Sequence, residues 1–290
     1  MRSQLKRTFG KHTCAYVLIL PAFLLVVAVS IYPAGFAVYT SLHKTDYAVI
    51  RQYVGLKNYI AFFTEREGWN NIFHSLEYAL GSVGFAMILG LLFALLIRET
   101  FPLRNFIKTV LFLPWVVSQV VIGLLWAWLF NPFYGVINYL LSLLGISSID
   151  ISIGNTAMPF VIAVNVWRTY PLAMILLFSA IQSIPAEFYE AAMVDGASAF
   201  KRLRYVTLPL IKRTSLVTVI TLTLEAINMI TLIYVITGGG PANRTATLSI
   251  RTFKTAFEQW NIGMASTVGV IIVVFNLVLS LVYLRISRGR

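Results

Sequence analysis

Apolar residues in this chain come in long blocks rather than in alternation. Six blocks are long enough to cross a bilayer as helices: about Ala15–Tyr39, Leu76–Ile97, Thr109–Phe130, Ala157–Gln182, Thr214–Thr237 and Gly263–Arg285. Lipid offers the backbone no water partners, so a spanning segment is either a helix of about 20 apolar residues or a strand of a closed barrel. Unbroken apolar runs such as Val268–Val274 do not fit the alternation of barrel strands. The pattern predicts an all-α polytopic membrane protein, a six-transmembrane-helix bundle forming a single domain over residues 1–290.

The intervals between blocks differ in character. Ser41–Phe73 mixes tyrosines, asparagines and charges and is too short for an independent domain. Asn131–Asn155 contains the apolar stretch Ile137–Leu144, which reads either as a short interfacial helix or as part of an outer cap. Gly238-Gly239-Gly240-Pro241 ends the fifth block sharply, because neither residue type sustains a helix. Within the blocks, Ala86, Gly90 and Ala94 place small residues on one helix face, suited to close packing inside the molecule. Pro114 and Pro171 lie inside spans and are expected to kink them.

The interval Ser183–Arg213 is the most polar of the five. Pro185 suits a helix start, and Glu187 and Glu190 then lie near the positive end of the helix dipole. Ala191, Ala192 and Met193 keep the next turn slim, and Gly196 lets the chain reverse. Ser198 is placed to cap a second, basic helix carrying Lys201, Arg202 and Arg204 before Pro209 leads into the fifth span. The product is a small helix-turn-helix knob, thin enough to enter a groove on another protein. A plain connector has the same elements.

Composition supports the membrane reading. The chain is 58% hydrophobic and 12% charged, against about 25% charged in soluble domains. A single cysteine, Cys14, leaves no internal disulfide and no cysteine metal site. Fifteen Lys and Arg fall on the side shared by both termini, Arg98–Lys108 and Ser183–Arg213, against seven on the other side. The positive-inside rule then places both termini and the Glu190 loop in the cytoplasm. The net charge of +12 follows from this topology and implies no nucleic-acid partner. The first block follows four basic residues but exceeds the core length of a signal peptide, so it is expected to remain as a helix.

Two charges fall inside the blocks. Arg168 and Glu225 lie at similar depth in spans four and five. A charge at mid-bilayer costs about 2.5–3.5 kcal/mol on insertion scales, so such groups face the bundle interior or water. They either pair with each other or line a translocation cavity. Asn165, Asn228 and Asn276 add hydrogen-bonding groups at similar depth, and Trp167 and Tyr170 offer aromatic faces of the kind that cover a sugar ring. Intramembrane asparagines equally serve to join helices. No Gly-x-x-x-x-Gly-Lys-Ser/Thr phosphate cradle is present. His12, His43 and His74 make no metal spacing, and no nucleophile–base pair is suggested. These features argue for a transporter and against an enzyme.

The stretch Trp167-Arg168, Pro171, Ala180–Ala192, Asp195-Gly196-Ala197-Ser198 and Thr207-Leu208-Pro209 resembles the permease subunits of ABC importers. The likeness is to the binding-protein-dependent carbohydrate type, the maltose and glycerol-phosphate group. Val54–Tyr59, Phe112-Leu113-Pro114 and Thr237–Pro241 extend it along the chain. Val206 stands where the motif often has Ile, Ile230-Thr231 where many relatives read Phe-Asp, and His74 where Asn is frequent. The resemblance implies that Glu190, Ala191, Ala192 and Gly196 form a coupling helix docking on an ATPase, with Asp195 supporting it. It implies four partners besides the lipid bilayer: a second homologous permease, two ABC ATPase subunits and an extracytoplasmic solute-binding protein. ATP and Mg would be bound by the ATPases, with no cofactor in this chain, and the home would be a bacterial or archaeal cytoplasmic membrane. The alternative from another class is an ion- or proton-coupled secondary carrier using Arg168 and Glu225 as a charge relay.

Overall fold

In a computed structural model, residues 16–47, 49–147, 149–151 and 154–288 are described. The N-terminal basic residues, His12 and Cys14 lie outside them. Four unbroken helices among the described residues are long and apolar enough to cross a membrane: α1 (Tyr16–Ser41), α3 (Arg66–Leu96), α7 (Gly154–Gln182) and α13 (Ile262–Arg288). Two further pairs qualify only together, each bent at a short break: α4 (Arg104–Val116) with α5 (Gln119–Leu129), and α10 (Lys212–Ile227) with α11 (Thr231–Thr237). Counting each bent pair as one span gives six.

Thr109–Phe130, where Pro114 predicts a kink, is bent; Thr214–Thr237, read as a continuous span, is bent as well. The first pair turns by 96° three residues past Pro114, where Val117 and Ser118 take extended backbone (ψ 139° and 137°). Proline removes the hydrogen bond to the carbonyl four residues before it, so its direct effect falls on the N-terminal side of Pro114, within a segment that stays helical. The second pair turns by 47° at Asn228-Met229-Ile230. Pro171, by contrast, is carried within the single helix α7, together with Pro159.

The core is built on α3 against α7. Ala86 and Ala94 are fully buried there, and a Cβ at Gly90 would lie 2.5 Å from the Ala173 Cβ, so the small-residue face is an internal seam. Tyr78, Val161, Met174 and Leu177 fill the contact on either side of it. Helix α1 stands apart, its apolar window wholly unburied, and touches α13 through its Tyr32–Ser41 half.

One end of the bundle is capped by elements that a hydropathy reading leaves as loops. A two-stranded antiparallel hairpin, β1 (His43–Asp46) and β2 (Val49–Tyr53), and helix α2 (Lys57–Thr64) follow α1. Helix α3 begins at Arg66, ten residues before the expected Leu76, because its first turns pack on α12 (Leu248–Phe257) through polar groups rather than lipid. The Asn71 amide donates to the Ala246 carbonyl at 2.7 Å, and the Leu248 N–H donates to Ser75 Oγ at 2.8 Å. Arg251 donates to Glu65 Oε2 at 2.6 Å and to Asn71 Oδ1 at 3.0 Å. On the same end, the Gly263 N–H donates to Thr45 Oγ1, tying the hairpin to the start of α13.

Candidate functional site

At the opposite end, the interval after α7 folds as the expected knob. Helix α8 (Ala186–Val194) is followed by a reversal at Gly196, whose φ of +73° is a left-handed conformation that glycine adopts without strain. The N–H groups of Asp195, Gly196 and Ala197 donate back to the carbonyls of Ala191, Met193 and Ala192, closing the helix end. The next segment, α9, is continuous from Ala199–Arg202 through a π-turn, Leu203–Thr207, to Leu208–Leu210. Ser198 Oγ accepts from the Lys201 N–H at 3.4 Å, as a cap should. Pro185 sits one residue earlier than the first turn, at the N-cap.

Glu190, Ala191, Asp195 and Gly196 are exposed on this knob, and Ala192 is half-buried. Its anchor is Tyr189, a residue that sequence reasoning passed over. Tyr189 is buried, its hydroxyl is 3.1 Å from Thr207 Oγ1 on α9, and the Arg98 guanidinium stacks 3.9 Å from its ring centroid. One aromatic residue thus holds α8, α9 and the loop after α3 together. The apolar side chains left outside include Phe188, Met193, Val194 and Phe200. The only signal in the sequence was an aromatic beside the motif, which is common in any amphipathic turn.

Inside the bundle, α7 and α10 bring Arg168 and Glu225 into contact. Arg168 Nη2 donates to Glu225 Oε1 at 2.6 Å, with side-chain exposures of 4% and 29%. Asn165, one turn before Arg168, accepts from its Nη2 and Nε at 3.3 and 3.4 Å. Asn228 does not join them: it is exposed and donates to the Leu224 carbonyl of its own helix. Asn276 Oδ1 is buried with no hydrogen-bond partner among the described residues. Trp167 and Tyr170 line instead an apolar groove of about 740 Å³ between α3 and α7, with Phe85 and Phe93.

Two residues near the ion pair were missed. Tyr78 is fully buried within electrostatic reach of both Arg168 and Glu225, and Ser82 lies one turn further along α3. Neither hydroxyl has a partner among the described residues. Tyr78 and Ser82, four residues apart within the Leu76–Ile97 block and four and eight past His74, set polar groups at helical period, and that period was the available signal.

Comparison with known proteins places these features in a wider set. Residues 86–290 match the family described as "Binding-protein-dependent transport system inner membrane component". The chain is 34% identical over 288 residues to the trehalose/maltose transport system permease protein MalF of Thermococcus litoralis, covering 98% of this chain and 97% of that one. It is 29% identical to the sn-glycerol-3-phosphate transport system permease protein UgpA of Agrobacterium fabrum, over 97% of each chain. A chain of the bacterial alginate ABC transporter, crystallised in complex with alginate pentasaccharide-bound periplasmic protein, superposes with a TM-score of 0.83 at 23% identity. The match covers 98% of this chain and 97% of that one and shows a shared fold.

Proposed function

Because this chain belongs to the inner membrane components of binding-protein-dependent transport systems, we propose that it is the permease subunit of an ATP-driven importer for a sugar or sugar-like solute. As a member of that family it is a transporter subunit rather than an enzyme. The observation that carries the finer reading is the braced knob. It protrudes from one end, exposes Glu190 and several apolar side chains, and is tied through Tyr189 to two neighbouring segments. A surface that is both exposed and rigidly connected to the spans can pass a push from a docked ATPase into the bundle.

In this reading the chain forms half of a translocation pathway with a second, homologous permease. Two ATPase subunits, holding ATP and Mg, dock at the Glu190 end in the cytoplasm, and both termini lie on that side. A solute-binding protein delivers cargo to the other end. ATP closes the ATPase pair, the knob moves with it, and the population shifts between inward and outward access. The solute class, an oligosaccharide, polyol or glycerol phosphate, is supported by relatives named for trehalose, maltose and glycerol phosphate.

A proton-coupled carrier is not favoured. The family, inner membrane components of binding-protein-dependent transport systems, supports the ATP-driven reading instead, and the 2.6 Å Arg168–Glu225 contact fits a pairing that joins α7 to α10.

The test is to tag the chain, crosslink in the native membrane, and identify what copurifies. A second permease and an ATPase bearing a phosphate cradle are expected, with uptake that vanadate stops and an uncoupler leaves intact. A lone or homomeric protein whose transport collapses with the proton gradient would refute the assignment.

A further inference from the structure

No Asp, Glu, Lys, Arg or His occurs between Lys108 and Asp150. This charge-free stretch includes α4 from Thr109 onward and all of α5, yet it continues past the span's end at Leu129 into a separate short helix, α6 (Val136–Leu143). On α6 the residues Val136, Tyr139, Leu140 and Leu143 recur at helical spacing on one face, and all are exposed, as is Leu144 just beyond. Phe133, in the connection, is 94% exposed. Among the described residues the face is therefore apolar and unpartnered, and α5 likewise exposes the apolar side chains Val121, Leu124 and Trp128.

The inward face is organised in the opposite way. Asn138 is buried, and its amide donates to the carbonyls of Phe130, Asn131 and Ile149 while its Oδ1 accepts from the Ile149 N–H. Asn131 Oδ1 accepts from the N–H groups of Phe133 and Tyr134. Gly135 closes the corner: a Cβ there would lie 2.5 Å from the carbonyl oxygens of Asn131 and Leu129. The corner thus satisfies much of its irregular backbone internally, which is the condition for irregular chain to sit where water is scarce.

We propose that Phe133–Leu144 is a lipid-embedded foot, with α6 lying in the bilayer interface on the side away from the Glu190 loop. The exposed face matches the acyl boundary, and Tyr134 and Tyr139 supply the amphipathic rings that favour headgroup level. A protein partner is a poorer fit. Docking surfaces carry a polar rim, whereas no charged side chain occurs anywhere between Lys108 and Asp150.

The experiment uses the assembled importer, with Cys14→Ser and a single Leu140→Cys or Leu143→Cys labelled with bimane. The complex is reconstituted in vesicles containing phosphatidylcholine brominated on the acyl chains. Labels at both sites should lose most of their emission, and a Gln52→Cys label on the exposed hairpin strand should keep it. Addition of the solute-binding protein should leave the quenching unchanged. Phe133→Cys, at the most exposed position, repeats the measurement should the helix variants assemble poorly. Labels that ignore brominated lipid, or that become shielded from aqueous iodide only when the binding protein is added, overturn the proposal.

Discussion

The Arg168–Glu225 pair allows structural pairing to be separated from a role in the pathway. Glu225→Gln keeps a carbonyl oxygen near Arg168 but leaves the guanidinium charge uncompensated at a side chain only 4% exposed. Removing one member of a buried pair costs about 3–5 kcal/mol. Glu225 is 29% exposed and partly solvated, so the lower end, about 3 kcal/mol, applies here. Arg168→Met strands the carboxylate and also removes the donor that Asn165 accepts from, at a similar cost. The double variant Arg168→Met/Glu225→Met should return to within about 1 kcal/mol of the parent, since apolar replacement of a whole buried pair is often neutral. The assay is the apparent melting temperature of the four purified complexes, run as a double-mutant cycle. Both single variants should melt well below the parent and the double variant close to it. Losses that simply add in the double variant would refute the coupling inferred from the 2.6 Å contact. Uptake by a stable double variant then decides the role: retained transport makes the pair architectural, and lost transport places its charge in the pathway.

Gly196→Pro replaces a residue at φ +73° with one fixed near about −65°; the complex should assemble in the membrane but fail to couple ATP hydrolysis to uptake. Normal uptake by that assembled complex would remove the coupling role from the knob. Gly90→Ala puts a Cβ 2.5 Å from Ala173 Cβ and should cost about 1–3 kcal/mol by overpacking, read as a lower melting temperature; an unchanged value contradicts the close α3–α7 seam. Asn138→Ala deletes the amide that ties Phe130, Asn131 and Ile149 together. Each buried group left without a partner costs about 1–3 kcal/mol. Limited proteolysis between Asn131 and Ile149 should accelerate, and an unaltered cleavage rate would mean the corner is held by other contacts.

The sequence by itself determined the elements whose physics is local. Spans are legible because lipid forces long apolar helices, and the knob because Gly196, Ser198 and Pro209 act on their own backbone or their neighbours. The stop at Thr237 has the same origin, with Gly238 in the left-handed cap. The family is legible because the knob's residues lie together in one short interval. Tertiary structure decided what depends on partners far apart in the chain. Helix α3 starts ten residues early because Asn71 and Ser75 find Ala246 and Leu248 about 175 positions away, so residues that look like a polar loop become a buried joint. The bend at Asn228-Met229-Ile230, the isolation of Asn228 from Arg168, and the placement of Trp167 and Tyr170 on an apolar groove were equally out of reach. A hydropathy block reports depth in the bilayer; the direction a side chain faces at that depth is set by which helix packs against it.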